Sequence, residues 1–167
     1  MARFANELRE HIIQPTLKYL GAASPQAESL LLTMALLSNR FRRDDERLGV
    51  YCISPQQHRQ VWDDYLAFQP DLASEIRSLA SQRWFLENPD RELIANIAYA
   101  TAIAWIIFSI SGMALPAAND VDAQARIWQR LFGPYQEEGE ALSSAIDKMR
   151  GRMSETSTPP PASAKLK

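Results

Sequence analysis

The side chains best suited to chemistry gather around one turn, LGVYCISPQQHRQVW, running from Leu48 to Trp62. Cys52 is a nucleophile only if a base stands beside it, and His58, six residues on, is the base the turn offers. Just ahead of the turn, Asp44, Asp45 and Glu46 supply carboxylates that could act as general acids. Tyr51 and Trp62, and further along Tyr99, carry flat rings of the kind that stack on sugars. Each has a plainer reading. A lone thiol is ordinarily a small buried hydrophobe, carboxylates on a charged loop are solvated and make poor general acids, and aromatic rings at helical spacing belong to a core. His58 is expected to pack or to hydrogen-bond rather than to catalyse, and Asp63 and Asp64 decorate a helix surface.

The elements that position this turn are helical. Phe4, Leu8, Ile12, Leu17 and Leu20 recur at helical spacing over residues 3–20, with Pro15 expected to kink or split the element and Gly21 to stop it. Ser24 followed by Pro25 starts a helix whose run AESLLLTMALLSNRF is apolar on most sides and therefore belongs in the core. Gly49 then opens a short set of strand formers, Val50, Tyr51 and Ile53. Ser54-Pro55-Gln56-Gln57 reads as a capping box starting the next helix, which ends before Pro70. Asp71 can cap a helix carrying Leu72, Ile76 and Leu79, and Asn88-Pro89 starts a long apolar one ended by Gly112 to Pro116. Asp120 caps a helix holding Ile127, Trp128 and Leu131, stopped at Gly133-Pro134. A last, more polar helix runs from about Glu137 to Met153 on a stripe of Leu142, Ile146 and Met149. This is an all-α pattern: six or seven helices around a central apolar one, with one short strand-like turn. Residues 1–153 are read as one domain, with helix 3–20 as a candidate appendage; residues 154–167, rich in Ser, Thr and Pro, as a disordered or extended arm.

Composition narrows the classes. The 167 residues suffice for one core, and 46% hydrophobic with 23% charged residues is an ordinary globular balance. A net charge of −2 gives no field to gather nucleic acid. One cysteine excludes an internal disulfide, and the first residues lack the apolar core of a signal peptide, so folding in a cytoplasm is expected. The 23 residues from Leu93 to Leu115 carry no charge and are long enough to span a bilayer. Asn96, Tyr99, Thr101, Ser109 and Ser111 interrupt them, however, and no basic cluster flanks them, which favours a helix buried at the centre of a domain. No metal-ligand, phosphate-loop or dinucleotide spacing is present, so no cofactor is expected. Arg40, Arg42 and Arg43, in RFRRDDER, form either a solvated loop or a contact patch.

The order of elements resembles the lysozyme-like lytic transglycosylase and muramidase domains found in bacteriophage genomes. Those typically carry TAAQESG at the end of a buried helix, then G-[LI]-Y-Q-I-x-P-x-T-H, then D-x-Y-L-x-[FY]-x-P-x-L. This chain supplies Gly49, Tyr51, Ile53, Pro55, His58 and Trp62, followed by Asp64, Tyr65, Leu66, Phe68, Pro70 and Leu72. NIAYATAIAW is similar to the family's central helix, and ARIWQRLFG to its late tryptophan helix, so the likeness covers roughly residues 24 to 150. The resemblance implies a lysozyme-like fold and a carboxylic acid that keeps its proton to cleave a glycosidic bond, as in the lysozyme case. Matching TAAQESG onto TMALLSN puts that acid at Leu37, and the family's glutamine falls on Cys52.

Both departures fall at the chemical centre. The resemblance therefore implies an inactive lysozyme-like domain, reused as a structural part of a phage particle, in the tail or among its ejected internal proteins. Its partners would be other virion proteins and further copies of itself, with the arm and the arginine patch as contacts. Tyr51, His58, Trp62 and Tyr99 would then mark a vestigial cleft. Three alternatives stay open: an active muramidase using Asp44, Asp45 or Glu46, a module that binds peptidoglycan without cleaving it, and a small membrane protein built on residues 93–115.

Overall fold

The computed structural model describes residues 2–42, 46–133 and 139–155, and within them the protein is helical, with no strand. The chain begins with α1 (Ala2–Leu8) and α2 (Gln14–Tyr19), joined by one π turn over Arg9–Ile13. Pro15 causes that turn. Its ring has no N–H and would meet the carbonyl of His11 in a tight helix, so the backbone widens just ahead of it and Gln14 N–H donates to Arg9 O. The helix is thus neither split nor ended at Pro15. It stops at Gly21, where φ is +66° and the Gly21 and Ala22 N–H groups donate back to Lys18 O and Leu17 O.

In α3 (Pro25–Arg40) the Ser24 hydroxyl accepts from Ala27 N–H at 3.1 Å, as its sequence position predicts. Leu30, Leu31, Met34 and Leu37 on this helix are fully buried, and so are the polar side chains Ser29, Thr33 and Ser38. Those hydroxyls are answered from far along the chain. Thr33 donates to Gln124 Oε1 at 2.7 Å, Ser29 donates to Ala118 O at 2.6 Å, and the Trp128 indole donates to Ser38 Oγ at 2.8 Å. Gln124 and Trp128 lie on α9 (Val121–Leu131), the helix packed along α3 and capped by Asp120 accepting from Ala123 N–H. To follow α9 in order of space is to skip the middle of the chain. There, α4 (Pro55–Gln60) starts at the full Ser54–Gln57 capping box and continues through a π turn, Val61–Tyr65, and a 3₁₀ turn, Leu66–Phe68.

Two expectations are corrected here. Asp71 does not cap α5 (Pro70–Leu79): Gln69 precedes that helix without a side-chain cap, and Asp71 sits inside its first turn. The long apolar helix does not start at Asn88-Pro89. The short α6 (Trp84–Glu87) and α7 (Arg91–Ala95) come first, and Asn96, in extended backbone, accepts from Tyr99 N–H to start α8 (Ile97–Ile110). The asparagine amide competes with the helix for its own neighbours, which is why it breaks the run rather than riding in it. The 14 residues of α8 rise about 21 Å, and no helix among the described residues is long and apolar enough to cross a membrane. The strand-like turn expected after Gly49 is a turn closed by a single antiparallel bridge between Leu48 and Ile53.

α8 takes the central place its composition demands. It touches α2, α3, α5, α7 and both π turns, and Ala102, Ile103 and Ala104 have no free surface. One cluster of buried side chains extends from Leu8 to Ala145. The last helix, α10 (Gly139–Glu155), packs on α9 through Ala145, with Ile146 and Met149 half-buried. It runs two residues past the expected end at Met153, so Ser154 and Glu155 belong to it; the rest of the expected arm lies outside the described residues.

Candidate functional site

The turn that opened the question is held from three sides. Leu48 and Ile53 exchange backbone hydrogen bonds at 2.9 and 3.0 Å, closing the loop on itself. Gly49 sits at φ +72° with its α-carbon against α7: a β-carbon there would lie 1.9 Å from Leu93 O. Arg42 donates to Gly49 O at 3.3 Å, and Arg47 donates to Phe132 O at the end of α9. Arginines of the charged loop are therefore engaged in fixing the turn. Arg40 lies over the Phe41 ring, and Arg43, with Asp44 and Asp45, falls outside the described residues. Glu46 is exposed.

Inside the turn the expected site residues are closed off. Tyr51 is fully buried and bonded to Thr101 at 3.0 Å; the Thr101 hydroxyl donates to Ile97 O, so Tyr51 is the donor of the pair. Cys52 holds φ +53°, rare for a residue with a side chain, and its buried thiol points to Ser38 O at 3.5 Å. The Cys52–His58 pairing considered from sequence does not form, because both imidazole nitrogens are committed elsewhere. Leu37, at the position the resemblance gives to the acid, is 0% exposed among core side chains.

His58, Trp62 and Tyr99 do come together. The first two are four residues apart on α4 and its π turn, hence on one face, and Tyr99 meets them from the first turn of α8. His58 Nε2 lies 2.7 Å from Tyr99 Oη, and Trp62 Nε1–H donates to the same oxygen at 2.8 Å. On its other side, His58 Nδ1 lies 2.7 Å from Asp90 Oδ1 in the loop before α7. One tautomer satisfies every group: Nδ1–H donates to the carboxylate, and the Tyr99 hydroxyl donates to Nε2 while accepting from Trp62. Phe85 stacks edge-on against both Trp62 and Tyr99, and Arg77 covers Phe85. Next to this group Glu92 is only 3% exposed, its carboxylate accepting from the Asn96 amide at 2.9 Å. Asn96 also donates to Leu79 O, so one amide caps α8, ties α5 and holds the buried acid.

Carboxylate, imidazole and hydroxyl in this order make the relay that activates a nucleophile in hydrolases. Here the terminal oxygen faces no open space. Burial holds the Tyr99 hydroxyl well above the ordinary tyrosine value; the Trp62 hydrogen bond and Arg77 oppose the shift, and the charges of Glu92 and Asp90 add to it. Tyr51 is raised likewise by burial, against its bond to Thr101. A hydroxyl kept neutral and out of reach of substrate is an interlock, joining α4, α8 and the loop before α7. Asp90 and Glu92 escaped the sequence reading because nothing local marks them; the one available signal was an acid set directly against the apolar run that starts at Leu93.

Tyr99→Phe is therefore expected to lower stability by about 2–3 kcal/mol at neutral pH, since it orphans the indole N–H and Nε2. The deficit should shrink in alkali. A group whose folded pKa is raised contributes stability that is full below its unfolded value, here the ordinary 10.0, and is lost as pH rises past it. The natural chain pays this loss at Tyr99 and the phenylalanine variant does not. Urea unfolding of both at neutral pH and above pH 10.0 checks it; a deficit that stays constant would mean the Tyr99 hydroxyl is not held neutral by the fold.

Compared with known proteins, the chain matches no protein-family model, no curated protein and no solved structure.

Proposed function

We propose that this chain is a structural component of a bacteriophage particle, in the tail or among its internal, ejected proteins, built on a lysozyme-like domain that no longer cleaves sugar. The observation that carries the reading is Leu37. Where the resemblance calls for an acid in a partly open pocket, the chain places a leucine with no free surface. Tyr51, His58 and Tyr99, the residues that would line a cleft, are buried and occupied with one another or with Thr101. Filling an active site with core side chains raises stability once the chemistry is no longer needed. On this reading residues 1–153 form one domain, the chain folds in the host cytoplasm and enters the virion, and its partners are other virion proteins and copies of itself. The lysozyme-like arrangement and the phage setting rest on the sequence motifs around Gly49 to Leu72.

The test is release of muropeptides from purified peptidoglycan, followed by chromatography with mass detection. No product is expected. Release of reducing-end or anhydro muropeptides would overturn the proposal, and Asp44, Asp45 and Glu46 would then be replaced in turn to find the acid. Binding of the sugar polymer without release would point instead to a peptidoglycan-binding module, with the half-buried Trp62 as the first ring to remove.

A further inference from the structure

α5 separates two exposed patches of opposite character. At its start, Phe68 is 78% exposed. Asp64 lies four residues before it and Asp71 three after, both exposed, as is Asp63. None of these three carboxylates has an ion-pair partner among the described residues, and Arg59 is the one cation beside Asp63 and Asp64. Past the other end of α5, Trp84, Leu86 and Ile94 are exposed on α6 and α7, Leu86 to 78%. The guanidinium groups of Arg91 and Arg83 stand 4.2 and 5.0 Å from the Trp84 ring centre. Arg83 reaches Glu87 only at 3.6 Å, with both side chains mostly in solvent, and Arg91 has no carboxylate partner among the described residues. A guanidinium laid over a ring keeps its edge N–H groups free for a carboxylate, and Trp with Arg around an apolar centre is the composition of an interface hot spot.

We propose that these two patches bind each other between copies: the acidic Phe68 end of one molecule seats on the basic Trp84–Leu86–Ile94 end of the next. Charge complementarity selects a second copy as the occupant, because around its apolar centre the Phe68 patch carries more carboxylates than cations and the Trp84 patch more guanidinium groups than carboxylates. The ten residues of α5 set the ends about 15 Å apart along its axis, so the two surfaces are distinct and the contact is head-to-tail. Such a contact repeats, closing into a ring or running on as a filament. The inference rests on the virion reading only in giving its assembly a contact surface, and it can fail while the absence of sugar cleavage stands.

Sedimentation velocity of the full chain over a concentration series tests it. Oligomers are expected, weakening as salt rises. Phe68→Asp and Leu86→Asp should each weaken association by at least about tenfold; both sites are so exposed that the fold should persist, which circular dichroism verifies. An equimolar mixture of the two variants should recover a dimer and nothing larger, because one intact patch of each kind remains. A natural chain that stays monomeric, association indifferent to both substitutions, or a mixture that stays monomeric would each overturn the head-to-tail contact.

Discussion

Replacing Gly49 by alanine is expected to cost on the order of 3–5 kcal/mol, a large part of the stability of a typical domain and enough to leave much of the protein unfolded. Two penalties meet at this residue. The backbone holds φ +72°, where a β-carbon is disfavoured by about 1–2 kcal/mol. The added methyl would also sit 1.9 Å from Leu93 O and 2.8 Å from Leu93 C, both main-chain atoms that cannot swing aside. To admit it, the turn must lift off α7, carrying Tyr51 away from Thr101. Gly21→Ala provides the comparison, since Gly21 has φ +66° but no atom within 4 Å of the added carbon. It should pay the backbone penalty alone. If chemical denaturation finds the two variants equally destabilised, the close approach of Gly49 to Leu93 is not what seats the turn.

Leu37→Glu carries the second large effect, about 3–5 kcal/mol at neutral pH. The substitution restores the residue the resemblance calls for but not its surroundings. A carboxyl with no exposure avoids its charge, so burial should lift its folded pKa above the ordinary glutamate value of about 4.3. The sign follows from the protons: between the unfolded and folded values the native state holds the extra proton, so stability falls as pH rises through that window. Leu37→Gln should cost about 2–4 kcal/mol without that added slope. Parallel unfolding curves for the two variants from acid to neutral pH would show that position 37 reaches water, and a pocket would then remain where the core is described. Muropeptide release by the glutamate variant would carry the same message.

How much of this was legible beforehand depended on range. Ser24, Ser54 with Gln57, and Asp120 were read correctly because a cap and the N–H it satisfies lie within three residues of each other. Gly49 announced a turn, although no sequence signal said that its α-carbon would touch Leu93 O. Asp71 was misassigned because a capping side chain beside a proline looks alike one residue early or late. Asn96 was noticed only as an interruption, since an asparagine inside an apolar run looks the same whether it breaks the helix or is carried by it. Cys52 at positive φ was invisible, as cysteine has no preference for that region. The resemblance singled out His58, Trp62 and Tyr99, which do meet, but as a cleft rather than a closed interlock. Asp90, which completes it, lies 32 residues from His58, beyond any periodicity.

The hydroxyls of α3 have a consequence for the order in which the chain can fold as it is made. Ser29, Thr33 and Ser38 are buried, and the partners that accept or supply their hydrogens arrive about ninety residues later, with separations of 89, 91 and 90. A nascent chain that has released only α1 to α8 from the ribosome can form α3 but cannot bury that face without stranding Ser29 and Thr33, although Ser38 already donates to Tyr51 O. Packing of the apolar core must therefore wait for α9, and such long-range closure is slow and leaves apolar surface open meanwhile. The helix with the most uninterrupted apolar sequence, α8, is then complete and unpartnered in part until α9 is translated. The polar pairs between α3 and α9 act as a checkpoint: the core around α3 closes only after α9 has been made.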